Sequence, residues 1–248
     1  MILNNLIYGE FSDKGVRREN QDAYFSLIKD ELAVFSVADG MGGYNLGAEI
    51  AMAIVDALKR EFGMCDRFSA EYVSGLLYQK YIQINSYIFD RYMANSILTG
   101  STISTICFVN NKLVVGNVGD TKICRIRNKE VTTISKIHNV AAEQYEKGKI
   151  SYLEYMNHSE KNILTQCIGI EENIAPYLAV GEVSPGDYYF ICSDGVYNHV
   201  HDDDFLDVFL NKDIDSNEKM NLVCKDLVSK AYSNGSKDNM TMVAIRIV

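Results

Sequence analysis

The chain has 248 residues, of which 47% are apolar and 23% are charged, and its net charge is −9. These proportions are those of a folded globular protein and exclude an intrinsically disordered chain. The excess of carboxylates argues against a nucleic-acid-binding protein, because contact with a phosphate backbone requires clustered lysine and arginine.

The first half of the chain contains signals for a strand, two helices and a run of hairpins. Residues 31–40 form a short run rich in β-branched and aromatic side chains, which predicts a buried strand. Apolar residues at helical spacing predict helices over 48–62 and 70–94, with Gly75 as a candidate interruption of the second. Between residues 101 and 134, four short strand-like segments alternate with turn signals, which is typical of antiparallel hairpins.

The second half begins with a polar, helix-prone stretch, residues 139–157, which we expect to be a surface excursion. Residues 187–195 then form a second apolar run that ends beside glycine and aspartate, 217–232 have helical spacing, and 240–248 predict a final strand. Because helices come in blocks and do not alternate with every strand, the pattern favours an α+β fold with antiparallel sheets. Only two prolines and no low-complexity tract are present, so we expect one domain over residues 1–248.

The six cysteines are scattered singly, without a C-x-x-C pair, and several lie in apolar runs. This distribution is typical of reduced, buried thiols and argues against a zinc site or a disulfide framework. No apolar stretch approaches the length of a membrane span, and residues 1–11 lack the basic flank and apolar core of a signal peptide. We therefore expect a soluble cytoplasmic protein without a membrane partner, and a monomer in the absence of any assembly signal.

Five aspartates lie beside apolar segments that should belong to the core: Asp22, Asp39, Asp120, Asp194 and Asp238. If the strand ends converge, these carboxylates would repel one another unless divalent cations offset their charge. Oxygen ligands suit Mg²⁺ or Mn²⁺, and two such ions about 3.5–4 Å apart can activate a bridging water for displacement at phosphorus. Each aspartate taken singly could instead form a turn or a helix cap.

Short motifs occur in a fixed order over almost the whole chain. They are GVRRENQD (15–22), VADGMGG (37–43), GST (100–102), NVGD (117–120), KNILTQCIG (161–169), CSDG (192–195) and SKDNMT (236–241). In this order the chain resembles the type 2C metal-dependent protein phosphatases (the PPM family) in their compact bacterial form. The chain contains no D-x-D-x-T, C-x5-R or G-x-S-x-G motif, as other phosphatase and hydrolase chemistries would need.

The resemblance implies a four-layer αββα sandwich, in which two antiparallel sheets flanked by helices carry a metal site at one edge. It further implies that Asp39 bridges two Mn²⁺ or Mg²⁺ ions and that the carbonyl of Gly40 binds the second. Asp194 and Asp238 would hold the first ion, and Asp22 would serve the second directly or through water.

The same resemblance implies roles for three further residues. Asp120 would share a third, weaker ion with Asp194, although the two residues after Asp120 depart from the usual Ser-Arg of the family. Arg17 would bind the substrate phosphate through its guanidinium fork. By charge alone Arg18 is an equal candidate, and only the family spacing selects Arg17. Asn239, which follows the last ligand, is expected to orient its loop.

The activity implied by the resemblance is hydrolysis of phosphoserine and phosphothreonine on proteins, the substrates of a Ser/Thr kinase. A metal-bridging hydroxide would attack phosphorus directly, which makes Arg17 and Asp39 the residues predicted to be catalytic. Residues 136–160, a flap-like excursion in the place of the family's flap, would influence substrate choice. Two alternatives stay open: a catalytically silent relative that binds phosphoproteins, and an enzyme that hydrolyses a small phosphorylated metabolite.

Overall fold

The computed structural model of the protein describes residues 6–29, 31–43 and 45–248, apart from the side chain of Ala94. The strands are β1 (Leu6–Asp13), β2 (Asp22–Lys29), β3 (Leu32–Gly42), β4 (Thr99–Ser101), β5 (Ile103–Val109), β6 (Lys112–Val118), β7 (Lys122–Arg127), β8 (Glu130–Thr133), β9 (Tyr177–Glu182), β10 (Tyr188–Cys192) and β11 (Met240–Ile247). The helices are α1 (Leu46–Gly63), α2 (Ala70–Tyr92), α3 (Val140–Glu146), α4 (Tyr152–Met156), α5 (Asp194–Tyr197), α6 (Asp202–Asn211) and α7 (Asn217–Ser233).

Two antiparallel sheets pack face to face. One has the strand order β1-β11-β10-β7-β8, and the other has the order β2-β3-β5-β6-β9 with β4 added to β3. Between them, Phe35 and Phe108 of one sheet and Tyr189 of the other form two edge-to-face contacts, with ring centroids 6.1 and 5.3 Å apart. Such contacts stabilise a pair of aromatic rings beyond the burial of their area. This central apolar layer holds the ends of the two sheets side by side.

Helices cover both outer faces of the sandwich. On one face, Ile54 and Leu58 of α1 and Leu77 of α2 pack on the sheet that contains β3. On the other, Phe209 of α6 and Leu227 of α7 pack on the sheet that contains β10. The predicted α+β fold, a four-layer αββα sandwich of two antiparallel sheets, is therefore confirmed. Among the described residues, no helix combines the length and the apolar character needed to cross a bilayer.

Most of the predicted elements are present, with bounds that differ by a few residues. The helix over 70–94 continues through Gly75, because this glycine is exposed and a single glycine costs a helix only about 1 kcal/mol. The strand over 187–195 ends early, at Cys192, and a short helix begins at Asp194. The hairpins β5-β6 and β7-β8 form as predicted, although they lie in different sheets.

The surface excursion over 139–157 is only partly a surface feature. It contains α3 and α4, but Asn139, Ala141 and Ala142 are buried, and only its later part is exposed. The expectation was wrong for its first turn because small alanines, which carry little hydropathy signal, pack inward there. The expectation about residues 1–11 concerns in part residues 1–5, which lie outside the described ranges.

Candidate functional site

The register of two strands brings the first pair of predicted carboxylates together. Asp22 is the first residue of β2 and lies directly opposite Asp39 near the end of β3. Side chains in such a position have Cβ atoms about 4.5–5.5 Å apart, and like charges there destabilise the sheet. The antiparallel pairing of β2 and β3 therefore creates a charge conflict that the fold alone does not relieve.

The second sheet delivers a second pair to the same edge. Strands β10 and β11 are antiparallel neighbours with Cys192 opposite Met242. Asp194, just after β10, and Asp238, just before β11, consequently lie at one end of this sheet. A cavity of about 960 Å³ opens there, and its lining includes four of the five predicted carboxylates: Asp39, Asp120, Asp194 and Asp238. Asp22 is buried, with 8% of its surface exposed, and is not part of this lining.

The backbone at Gly40 also lines the cavity and leaves no room for a side chain. A Cβ atom at this position would lie 2.1 Å from the carbonyl oxygen of Gly47 in the first turn of α1. The amide of Gly40 donates to the carbonyl of Gln21 at 3.0 Å. The glycine thus lets β3, the start of α1 and the segment before β2 meet at the edge of the cavity.

Burial and mutual repulsion perturb the ionisation of these groups. Burial, followed by the charges of Asp194 and Asp238, raises the pKa of Asp22 to about 7, although the Ser193 hydroxyl donates to its Oδ2 at 2.9 Å. Burial and the nearby carboxylates of Asp22 and Asp194 raise the pKa of Asp39 well above its usual value. Burial and the charge of Asp194 raise the pKa of Asp120 to about 7, and burial and the charge of Asp238 raise the pKa of Asp194 to about 6. Without added positive charge, the carboxylates cannot all be ionised at neutral pH.

The donor atoms of the cavity suit hard cations. Within the described ranges, no three His, Cys, Asp or Glu side chains are close enough together to hold a metal ion as they stand. Yet the ligand set is all oxygen, which Mg²⁺ and Mn²⁺ prefer. The buried Oδ1 of Asp22 has no hydrogen-bond partner, a costly arrangement that a cation or its water would relieve. The residues therefore fit divalent metal ions.

A guanidinium group stands at the same cavity. Arg17 lines it, and its Nη2 contacts Asp238 Oδ2 at 2.8 Å while its Nε donates to the carbonyl of Lys237 at 3.0 Å. Arg18 lines the cavity as well. In this arrangement, Arg17 partly offsets the charge of one carboxylate, and it is held where an anion entering the cavity would meet it.

Asn239 holds the segment that carries Arg17. Its Nδ2 donates to the carbonyls of Lys14 and Glu19, at 3.0 and 2.9 Å, and its Oδ1 accepts from the amide of Gln21 at 2.8 Å. These three bonds tie residues 14–21 to the start of β11, next to Asp238. The expectation that Asn239 orients a loop therefore has a concrete geometric basis.

The GST motif supports Asp39, a role that was not recognised in the sequence. Thr102 accepts a hydrogen bond from the amide of Asp39 through Oγ1 at 3.0 Å, and its own amide donates to the Asp39 carbonyl at 2.9 Å. Ser101 Oγ also donates to that carbonyl, at 2.9 Å. The hydroxyl residues of the GST motif could be seen in the sequence. Only the pairing of β4 with β3 shows that they support the backbone of Asp39.

Comparison with known proteins decides the family. A sequence model of the family Protein phosphatase 2C matches residues 8–154. The chain belongs to the protein phosphatase 2C family. The predicted family and the predicted enzyme class, a protein phosphatase, are thereby confirmed.

Relatives of this protein phosphatase 2C family member match it over nearly their whole length. The serine/threonine phosphatase stp of Listeria welshimeri is 28% identical over 249 residues, which cover 96% of this chain and 95% of the relative. The solved structure of the S. agalactiae serine/threonine phosphatase has a TM-score of 0.89 at 25% identity, over 98% of this chain and 100% of that one. The catalytic domain of the phosphatase PstP, solved in complex with two manganese ions, has a TM-score of 0.82 at 26% identity and covers 98% of both chains.

Proposed function

We propose that the protein is a metal-dependent protein phosphatase that hydrolyses phosphoserine and phosphothreonine on proteins. The observation that carries this proposal is the convergence of Asp39, Asp120, Asp194 and Asp238 with Arg17 on one cavity of about 960 Å³. Carboxylates suit the binding of divalent cations, and a guanidinium fork suits the binding of a phosphate. Family membership and the serine/threonine phosphatases among its relatives support the substrate class.

Four of the five carboxylates would divide between two metal ions, Mn²⁺ or Mg²⁺. Asp39 would contact both, with Asp22 and the carbonyl of Gly40 on one side and Asp194 and Asp238 on the other. Asp120, whose pKa is raised by burial and by Asp194, would join Asp194 at a weaker third ion. When bound, such ions supply an activated water for in-line attack on phosphorus and stabilise the negative charge that develops there.

The side chains of the protein position the substrate. In the structure, Arg17 contacts Asp238, a carboxylate that a metal ion would also engage. A cation that shared the charge of Asp238 would weaken the attraction that holds Arg17 there. The guanidinium group would then be free to bind two phosphate oxygens in parallel and to hold the phosphoester in line for hydrolysis.

Exposed apolar side chains near the cavity favour a protein over a small metabolite as the substrate. Val16 and Ile163 have 61% and 51% of their surface exposed, and Ile163 lines the cavity just after residues 136–160, the predicted flap. We further propose a monomer that acts on substrates of a Ser/Thr kinase in the reducing cytoplasm. The six buried, free cysteines are consistent with that compartment.

The proposal is tested by phosphate release from a phosphothreonine peptide. Activity should require Mn²⁺ or Mg²⁺ and disappear with a chelator, and Asp39→Ala and Asp194→Ala should each reduce kcat by at least about a hundredfold. The exposed Asp56 on α1 offers a matched control, Asp56→Ala, which should keep the wild-type rate. A full rate in the chelator, or in either cavity variant, would overturn the proposal. Preference for a small phosphoester over the peptide would instead favour the metabolite alternative.

A further inference from the structure

A second large cavity is a groove between α1 and α2 on the outer face of the sandwich, and no described residue lines both this groove and the cavity of the aspartates. The volume of the groove is about 710 Å³. The groove is lined by apolar side chains of both helices: Ile50, Ala53, Ala57, Ile84 and Ile88. Two large apolar side chains, Met64 and Tyr87, also line it and have 73% and 62% of their surface exposed. An apolar groove with exposed large side chains is typical of a surface that binds another chain.

The groove also carries positive charge that the chain itself does not neutralise. Arg60 and Arg91 line it, and among the described residues neither forms a salt bridge. Arg60 donates only to the backbone carbonyl of Asp56, and Arg91 to the hydroxyl of Tyr87. Lys80 is paired with Glu61 at 2.7 Å. The lining contains three basic residues, Arg60, Lys80 and Arg91, and two acidic ones, Glu49 and Glu61, so it is net positive in a protein of net charge −9 and favours an acidic binding partner.

One end of the groove is connected to the catalytic cavity along the chain. Tyr92 lines the groove, and Ile97 and Leu98, which are 39% and 65% exposed, connect it along the chain to Thr99, which pairs with Gly42 at the cavity. The floor of the groove also approaches the cavity wall. A Cβ atom on Gly169, between two cavity-lining stretches, would lie 2.3 Å from Cγ2 of Ile88. A short stretch of chain that exposes Ile97 and Leu98 therefore separates the end of the groove from the catalytic cavity.

The length of the groove suits a short peptide segment. It follows α1 from Glu49 to Met64, which at 1.5 Å per residue corresponds to about 22 Å. An extended chain rises about 3.3 Å per residue, so about six or seven residues would fill the groove. A second copy of this chain is a poor occupant, since two proteins of charge −9 repel each other.

We propose that the groove between α1 and α2 docks an acidic, apolar segment of the phosphoprotein substrate while its phosphorylated residue enters the catalytic cavity. This inference rests on the proposed function and names the substrate class in more detail. Leucine- or isoleucine-like side chains of the segment contact the apolar floor, and its carboxylates pair with Arg60 and Arg91. Docking makes entry of the phosphorylated residue an intramolecular event, which lowers KM without changing the chemical step.

The test uses two synthetic phosphothreonine peptides with an identical core. One has the core alone, and the other adds a Gly-Ser linker and a seven-residue segment of alternating leucine and glutamate. The extended peptide should have a KM about five- to tenfold lower at equal kcat. In the double variant Arg60→Glu/Arg91→Glu this advantage should disappear while the core peptide is hydrolysed as by the wild type. Equal KM values of both peptides in the wild-type enzyme would overturn the proposal.

Controls separate docking from unrelated effects. Lys59→Glu changes the same charge one residue away on α1, outside the groove lining, and should keep the advantage of the extended peptide. Arg60→Gln/Arg91→Gln, which avoids a carboxylate in the last turn of each helix, should reduce it partly. An advantage of the extended peptide that survives both double variants would refute the role of the arginines.

A further measurement concerns the occupant of the groove. If the free Leu-Glu segment changed kcat for the core peptide without competing with the extended peptide, the occupant would be a regulator and the substrate proposal would be wrong. Failure of the core peptide itself would refute the proposed function and not the groove.

Discussion

Replacement of Asn239 by alanine should disturb the protein through one defined connection, the three hydrogen bonds that hold residues 14–21. Asn239 is 6% exposed, and its side chain contacts the carbonyls of Lys14 and Glu19 and the amide of Gln21. Each bond contributes about 1 kcal/mol net, so the free energy of unfolding should fall by about 2–3 kcal/mol. Because the released segment carries Arg17, the KM for a phosphothreonine peptide should rise as well.

A double-mutant cycle distinguishes this connection from a general loss of stability. If Asn239 acts by positioning Arg17, then Arg17→Ala should raise KM strongly in the wild-type background and only slightly in Asn239→Ala. The coupling should amount to about 1 kcal/mol or more. Urea unfolding followed by circular dichroism gives the stability, and initial rates of phosphate release give kcat and KM.

Asn85 provides a matched control for the cycle. It is also buried and also makes three hydrogen bonds, from its Nδ2 to the carbonyls of Glu171 and Glu172 and to its Oδ1 from the amide of Gly169. Asn85→Ala should lose a similar amount of stability, yet its effect on KM should add to that of Arg17→Ala. Additive effects of Asn239→Ala and Arg17→Ala would refute the reasoning.

Three further predictions concern charge and close packing. The pKa of Asp22 is raised to about 7, and that of Asp39 lies well above its usual value, so both groups favour the folded state at pH below about 4, and Asp22 loses that contribution as pH rises through about 7. In a chelator, the protein should therefore melt at a lower temperature at pH 8 than at pH 5.5. Added Mn²⁺ should raise the melting temperature at pH 8, and an unchanged melting temperature on metal addition would contradict this. Gly40→Ala places a Cβ 2.1 Å from a backbone oxygen of α1, so activity and at least about 2 kcal/mol of stability should be lost, as measured by phosphate release and urea unfolding. Asp187, buried, is paired with Arg127 at 2.6 Å. Burial by itself would raise its pKa, but the pKa is lowered because hydrogen bonds from Arg127, the Ser184 amide and the Tyr189 hydroxyl together outweigh burial. Asp187→Ala should cost about 3 kcal/mol at pH 7 and leave kcat unchanged, and the difference from wild type should shrink as pH falls below about 4.

The strand that contains Asp39 and the strands that end just before Asp120 and Asp194 were recognisable in the sequence, because buried strands appear as continuous apolar runs. Strands β1 and β2 were not, because most of their side chains are only partly buried, and their mixed composition has no clear period. The helix that starts at Asp194 spans four residues, too few for any periodicity. The missed elements thus share a physical cause: their conformation depends on neighbours in space and not on their own residues.

What the sequence determined by itself is the set of acidic residues, their order and the family to which that order belongs. Which of these residues lie together in space was decided only by the tertiary structure. Asp22 faces Asp39 because of the β2-β3 register, and Asp238 lies near Asp194 because β11 inserts between β10 and β1. The β1-β11 pairing joins residues 227 to 241 positions apart, and the packing of the two sheets face to face places Asp39, Asp194 and Asp238 at one cavity. The groove between α1 and α2 is likewise a property of how two helices pack on one sheet, and no local pattern in either helix predicts it.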